Sequence, residues 1–171
     1  MIKRQHRVIA DIKYIVVHHS GAPDPTSNHS SLAQHLFHTN LGYHGVVDDD
    51  AVFKSKAAGH DGKAIYKQMC PDNEVVWGAA GCNFNGWHVS IDGTSGIYGV
   101  TKDEIECLIQ VIATKCKQFG WKKEYARKHI VTHQWVGLHL STSKYKTECP
   151  GEPIIDQMPY IIERVCSYLP E

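Results

Sequence analysis

Three separated pieces of the sequence carry side chains able to hold one metal ion. They are His18-His19 after Ile15-Val16-Val17, His133 after Ile130-Val131-Thr132, and the tripeptide Cys149-Pro150-Gly151. Two imidazoles and one thiolate with a fourth position open is how a catalytic zinc is held. Structural zinc is instead closed by four ligands at short local spacings, and no Cys-x-x-Cys pair occurs in the sequence. The chemistry these residue types point to is metal-assisted hydrolysis.

The chain has 12 histidines, so most of them serve other ends. His18 stands out because it ends an apolar strand, where a fixed backbone can present a side chain to a cleft. Side chains alternate along a strand, so His18 and His19 point to opposite sides and only one of them can be a ligand. His129 and His133 have the i, i+4 spacing of a helical metal pair, but Ile130 stands where the general base of a His-Glu-x-x-His motif would be. The β-branched run Ile130-Val131-Thr132 also disfavours a helix there, which leaves His133 as the candidate and His129 as structural. His35 and His38 have helical spacing with no cysteine or carboxylate beside them and read as surface residues. Cys149, before Pro-Gly in a polar loop, reads as exposed at a turn.

The elements that must position these groups follow from pattern. Ile12 to His18 reads as a buried strand, ended by Gly21-Ala22-Pro23-Asp24-Pro25. A short helix is predicted from Ser30 or Ser31 to Asn40, and a hairpin from Tyr43 to Val47 and Val52 to Phe53 around Asp48-Asp49-Asp50. The stretch from Gly59 to Asn73 has no periodicity and reads as a surface loop, with strands predicted at Val75-Val76-Trp77 and from Trp87 to Ile91. Thr101 and Glu104 form a capping box for a helix to Phe119, with Ile105, Leu108, Ile109, Ile112 and Cys116 on one face. Ile130 to Thr132 is a short extended segment delivering His133, and one last helix is predicted from Pro153 to Leu169.

Composition bounds the reading. At 171 residues the chain fits a single domain with a sizeable core. Eighteen basic and eighteen acidic side chains leave a net charge of zero, so no global field draws the chain to nucleic acid or to an anionic membrane. No apolar run approaches the roughly 20 residues needed to span a bilayer. The first stretch, with Lys3, Arg4, Arg7 and Lys13, is basic but lacks the apolar segment of a secretory signal. The six cysteines are expected to be reduced: three fall in or beside helical patterns as small apolar residues, and with Cys149 on a metal an odd number remains.

With His18, His133 and Cys149-Pro150-Gly151 in place, the chain resembles the zinc-dependent N-acetylmuramoyl-L-alanine amidases, a group that includes phage endolysins and shares its fold with peptidoglycan recognition proteins. The matching pieces run in order from about Tyr14 to Val165: Val17-His18-His19-Ser20, Gly42-Tyr43-His44, Trp77 with Asn83, the long helix from Thr101, Thr132-His133, and Thr147-Glu148-Cys149-Pro150-Gly151. The resemblance implies an α/β (α+β) single domain with a central mixed β-sheet flanked by about three helices. It places a basic N-terminal extension at 1–13 and the catalytic domain at 14–171. It implies that His18, His133 and Cys149 bind Zn2+. Tyr43 matches the tyrosine placed beside the catalytic water. Thr147 matches a position held by lysine or threonine, with Lys146 adjacent as a substitute. Trp77, Asn83, Asn85 and Trp87 are candidates to line a groove for sugar or stem peptide. The implied reaction is hydrolysis of the amide between N-acetylmuramic acid and L-alanine in peptidoglycan. The implied bearer is a bacteriolytic phage or prophage endolysin, a monomer that accumulates in the host cytoplasm and reaches the cell wall after membrane permeabilisation. A non-catalytic recognition module and a cytoplasmic muropeptide-recycling amidase are the alternatives. Three departures from the family pattern stand out. Residues 137–146 read as an insertion. The histidine expected after the Trp77 position is absent from Gly78-Ala79-Ala80. The usual Gly-Ile-Glu-like strand appears as His88-Val89-Ser90-Ile91.

Overall fold

The computed structural model describes residues 5–20, 42–48, 64–91 and 100–171. Among these residues five strands form one mixed sheet: β1 (Tyr14–His19), β2 (Gly45–Asp48), β3 (Ile65–Gln68), β4 (Gly86–Ile91) and β5 (Ile130–Thr132), in the order β3-β2-β4-β1-β5. β1 runs parallel to both β4 and β5, β2 runs parallel to β4, and β3 closes the edge antiparallel to β2. Five helices follow among the described residues: α1 (Lys102–Gln118), α2 (Lys123–His129), α3 (His133–His139), α4 (Glu152–Ile155) and α5 (Met158–Ser167), with a 3-10 turn at Ile9–Asp11 before the first strand.

Strand alternation divides the sheet into two working faces. Ile15 and Val17 of β1, Val47 of β2, Trp87, Val89 and Ile91 of β4 and Ile130 of β5 join one core with Ile105, Leu108, Ile109 and Ile112 of α1 and Ile161 and Val165 of α5. Burial of each such aliphatic side chain contributes on the order of 1.5–3 kcal/mol. The alternate residues face the other way. Val16 and Val131 pack there with Val136 of α3, Ala79 and Cys82, and Val46 packs with Tyr43 and Met69. His18, His88 and Ser90 hold further alternate positions of β1 and β4, all three buried, and register sets His18 beside Ser90 and Val16 beside His88.

α1 starts where its sequence says. The Thr101 hydroxyl accepts from the Glu104 N–H, and the Glu104 carboxylate accepts from the Thr101 N–H. Such a cap is worth about 0.5–2 kcal/mol. The helix is pinned to the sheet by a polar contact as well: Lys115 donates to one oxygen of Asp72 at 2.6 Å, and the Trp87 indole N–H donates to the other at 2.7 Å.

Several sequence expectations need correction. The segment read as a loop from Gly59 to Asn73 contains β3, whose four residues are too few to show a period. Its Lys67 and Gln68 are exposed, as suits an edge strand. β2 starts at Gly45 rather than Tyr43 and pairs with β3. The hairpin partner predicted at 52–53 and the helix predicted at 30–40 lie outside the described residues. Val75-Val76-Trp77 is not a strand; its neighbour Glu74 makes an isolated bridge to His6, and Val75 N–H donates to the Gln5 carbonyl. The single last helix is two, α4 and α5, separated at Asp156-Gln157. Pro159 explains the break: it has no N–H for the preceding turn and sits instead in the first turn of α5. No disulfide is formed among the six cysteines, all of which lie among the described residues.

Candidate metal centre

β1 and β5 deliver the two candidate imidazoles to the same end of the sheet. His18 is the fifth residue of β1, and His133 follows β5 directly as the first residue of α3. The Thr132 hydroxyl caps α3 by accepting the Trp135 N–H at 3.1 Å, which fixes the turn that aims His133. Cys149 arrives from the segment before α4, across a cis bond to Pro150 and a left-handed Gly151 at φ +89°. The carboxyl ends of parallel strands are where open α/β sheets place their ligands.

One potential ligand atom from each of His18, His133 and Cys149 lies within 4.8 Å of the others. Cys149 Sγ stands 3.7 Å from His18 Nδ1, and the rings of His18 and His133 are 4.7 Å apart between centroids. Around a tetrahedral zinc, neighbouring nitrogen and sulfur ligands would be separated by about 3.4–3.6 Å. The donor set fits the metal in type, and the separation of Cys149 Sγ from His18 Nδ1 lies close to that spacing.

Burial sets the protonation of these groups. Burial, reinforced by neighbouring histidines, holds His18 far below the usual imidazole range. Burial and then His19 lower His133 to about 4. Both rings are thus neutral near pH 7, the form that ligates. Burial pushes the Cys149 thiol up to about 12, against the smaller opposing effect of the His19 backbone N–H, which donates to its sulfur at 3.4 Å. A thiolate at that depth requires a positive partner, which a divalent ion supplies.

The second nitrogen of each candidate ligand has its own partner. His18 Nε2 meets His88 Nδ1 at 3.0 Å. His133 Nε2 meets the Tyr145 hydroxyl at 3.0 Å, and that hydroxyl lies 3.4 Å from the Ala80 carbonyl as donor. Such partners fix the orientation and tautomer of metal-binding histidines. Sequence reading found neither. Tyr145 sits in the segment read as an insertion, and its meeting with His133 depends on the chain turning back after α3, where Tyr145 N–H donates to the Gly137 carbonyl.

The other candidates are placed as follows. Tyr43 lies beside His18, with ring centroids 4.9 Å apart, and its hydroxyl donates to the His19 carbonyl at 3.3 Å. Thr147 accepts the Cys149 N–H at 3.2 Å and so braces the cysteine turn. Lys146 is exposed. Trp77 is 60% exposed, and Asn83 accepts the Ala79 N–H at 2.9 Å within its own turn. Trp87 is a correction: it is wholly buried in the main core and does not line a groove. Cys149 is likewise buried rather than exposed, because the loop that carries it folds against the end of β1.

The fold recurs in known proteins. The chain is similar in structure to the Staphylococcus aureus hydrolase AmiA in complex with its ligand (TM-score 0.68, 17% identity, covering 98% of this chain and 78% of that one). It is similar to the Ph2119 endolysin of a Thermus scotoductus MAT2119 bacteriophage (TM-score 0.62, 17% identity, 95% and 89% covered). Drosophila peptidoglycan recognition protein SD has the same fold (TM-score 0.61, 13% identity, 92% and 86% covered). No curated protein matches in sequence. The family model described as N-acetylmuramoyl-L-alanine amidase matches residues 9–152, which takes in all three candidate ligands, and the chain belongs to that family.

Proposed function

We propose that this protein is a zinc-dependent peptidoglycan amidase acting as a phage or prophage endolysin, with His18, His133 and Cys149 as the metal ligands. The observation that carries the reading is the convergence of those three side chains within 4.8 Å at the carboxyl ends of β1 and β5, in a chain of the amidase family. The proposed bond is the amide between the lactyl group of N-acetylmuramic acid and L-alanine. Zinc, when bound, supplies Lewis acidity toward both the amide carbonyl and water.

The chain's own residues do the rest. His18 and His133 bind as neutral imidazoles and Cys149 as thiolate, leaving the site with a net charge of about +1. Tyr43 is proposed to donate its hydroxyl proton to the oxyanion that develops on the carbonyl, exchanging its 3.3 Å bond to the His19 carbonyl for a shorter, charge-assisted one. Thr147 holds Cys149 in place by accepting its backbone N–H, and its own hydroxyl proton is a second donor for the oxyanion. Trp77, on the loop between Glu74 and β4, offers an exposed aromatic face of the kind that suits a sugar ring.

The deciding experiment treats purified sacculi with the zinc-loaded protein, with and without chelator, and identifies products by mass spectrometry. Stem peptides with a new L-alanine amino terminus, lost on chelation and restored by zinc, are the expected result. Binding to sacculi without a new amine would instead indicate a recognition module. Activity confined to soluble muropeptides would indicate a recycling enzyme.

A further inference from the structure

His88 takes no part in the proposed reaction itself, yet it is one of the most enclosed polar side chains among the described residues, with 0% exposure beside His18 at 1%. Its Nδ1 lies 3.0 Å from His18 Nε2. His18 turns its other nitrogen, Nδ1, toward Cys149 Sγ at 3.7 Å. If Nδ1 ligates the metal it carries no proton, so the ring proton of His18 is on Nε2 and points at His88 Nδ1.

The space for the His88 ring is made by two glycines. A Cβ at Gly78 would come within 2.7 Å of His88 Nδ1, and a Cβ at Gly86 within 2.7 Å of His88 Nε2 and 2.5 Å of the Cys82 carbonyl. The ring also stacks on His44, with an interplanar angle of 10°. His88 Nε2 itself is buried without a well-directed partner, although the Cys82 carbonyl is near enough to act on the ring. A residue selected for packing alone would be apolar here, because an unsatisfied buried polar atom is costly.

A side chain at position 78 would enter the space that the His88 ring fills.

We propose that His88 is the positioning residue for His18: its Nδ1 accepts the Nε2 proton of His18 and fixes the ring plane and tautomer that turn His18 Nδ1 toward the metal. The inference rests on the metal-site reading above. It acts through His18, and the shared space predicts that an imidazole carried at position 78 can take the same part.

The test measures zinc affinity by competition with a chromophoric chelator, on variants shown to be folded by circular dichroism and melting temperature. His88→Leu fills the slot without an acceptor and is expected to weaken zinc binding by about 10–100-fold. His88→Asn puts an amide oxygen, attached at the same Cγ position, where Nδ1 was, and is expected to stay within about threefold of wild type on that scale. The exchange Gly78→His with His88→Gly is expected to bind zinc more tightly than His88→Gly alone. Nitrogen-15 NMR of the wild-type zinc protein supplies a readout independent of any variant: His18 protonated on Nε2, His88 bare on Nδ1, with a nitrogen–nitrogen coupling between them. Wild-type affinity in a folded His88→Leu protein, or a bare His18 Nε2, would overturn the role of His88 while leaving the metal site standing. A wild-type protein that takes up no zinc would overturn both.

Discussion

His18 and His44 are both buried histidines on the same face of the sheet, and both are held neutral by burial, yet their surroundings differ in kind. Every nitrogen of His44 is committed within the fold. The His88 backbone N–H donates to its Nδ1 at 2.9 Å, and its Nε2 lies 3.0 Å from the Glu74 carbonyl. Arg7 presses against it at 2.8 Å while donating to the carbonyls of Phe84, Gly86 and Asp72. These contacts bind the start of the chain to the loop between β3 and β4. His18 has one nitrogen committed, to His88, and turns the other toward Cys149 and His133. The comparison teaches that burial and a lowered pKa do not mark a functional histidine. On the proposed reading, what marks His18 is a nitrogen aimed at other potential ligating atoms.

The sharpest way to break this contrast is Cys149→Ser. It is expected to abolish stoichiometric zinc binding and reduce amidase activity to background, because a serine hydroxyl is a far poorer zinc ligand than a thiolate. A variant that still holds one zinc per chain would reject Cys149 as a ligand. Tyr43→Phe comes next. Loss of a single oxyanion donor typically costs about 2.7–4 kcal/mol, so kcat is expected to fall roughly a hundredfold or more with zinc retained. Unchanged turnover would remove Tyr43 from the chemistry. Tyr145→Phe deletes the partner of His133 and is expected to weaken zinc binding about tenfold without unfolding the chain, as read by chelator competition.

The smallest expected effect belongs to the committed side of the comparison. Burial, with Arg7 second, lowers His44 to about 3 from an ordinary value near 6.5. The folded state therefore prefers the neutral ring. This contribution to stability is complete above about pH 6.5 and is lost as pH falls toward 3, because the unfolded chain takes up the proton first. His44→Asn, which keeps an acceptor near Nδ1, is expected to show a shallower fall in melting temperature over that window. Its zinc affinity should match wild type. A parallel pH dependence would show that other groups set the acid limit, and a loss of zinc would erase the distinction between the two histidines.

Much of this protein was legible in residue order. β1 and α1 announce themselves because each carries its own signal: a β-branched run in one, and a reciprocal cap with a helical apolar face in the other. β5 and the delivery of His133 were legible for the same reason, since Ile130-Val131-Thr132 resists helix locally. β3 was not, because four residues with two exposed polar positions acquire strand identity only by pairing with β2. The break before α5 was available in Pro159 and was masked by the continuous apolar pattern from Ile154 to Leu169.

The same division runs through the site. The sequence by itself determined which residues can ligate and in what chemical form, because a thiolate and two imidazoles carry their chemistry wherever they are placed. It also determined that His18 and His19 take opposite faces, through strict alternation along β1. Only the tertiary structure decided what stands behind the candidate ligands. The meeting of His88 with His18 depends on the parallel register of β1 and β4 and on the space left by Gly78 and Gly86. The meeting of Tyr145 with His133 spans 12 residues and depends on how the chain returns after α3. Ligand type is a property of single side chains, whereas ligand orientation is set by packing between segments that are distant in sequence.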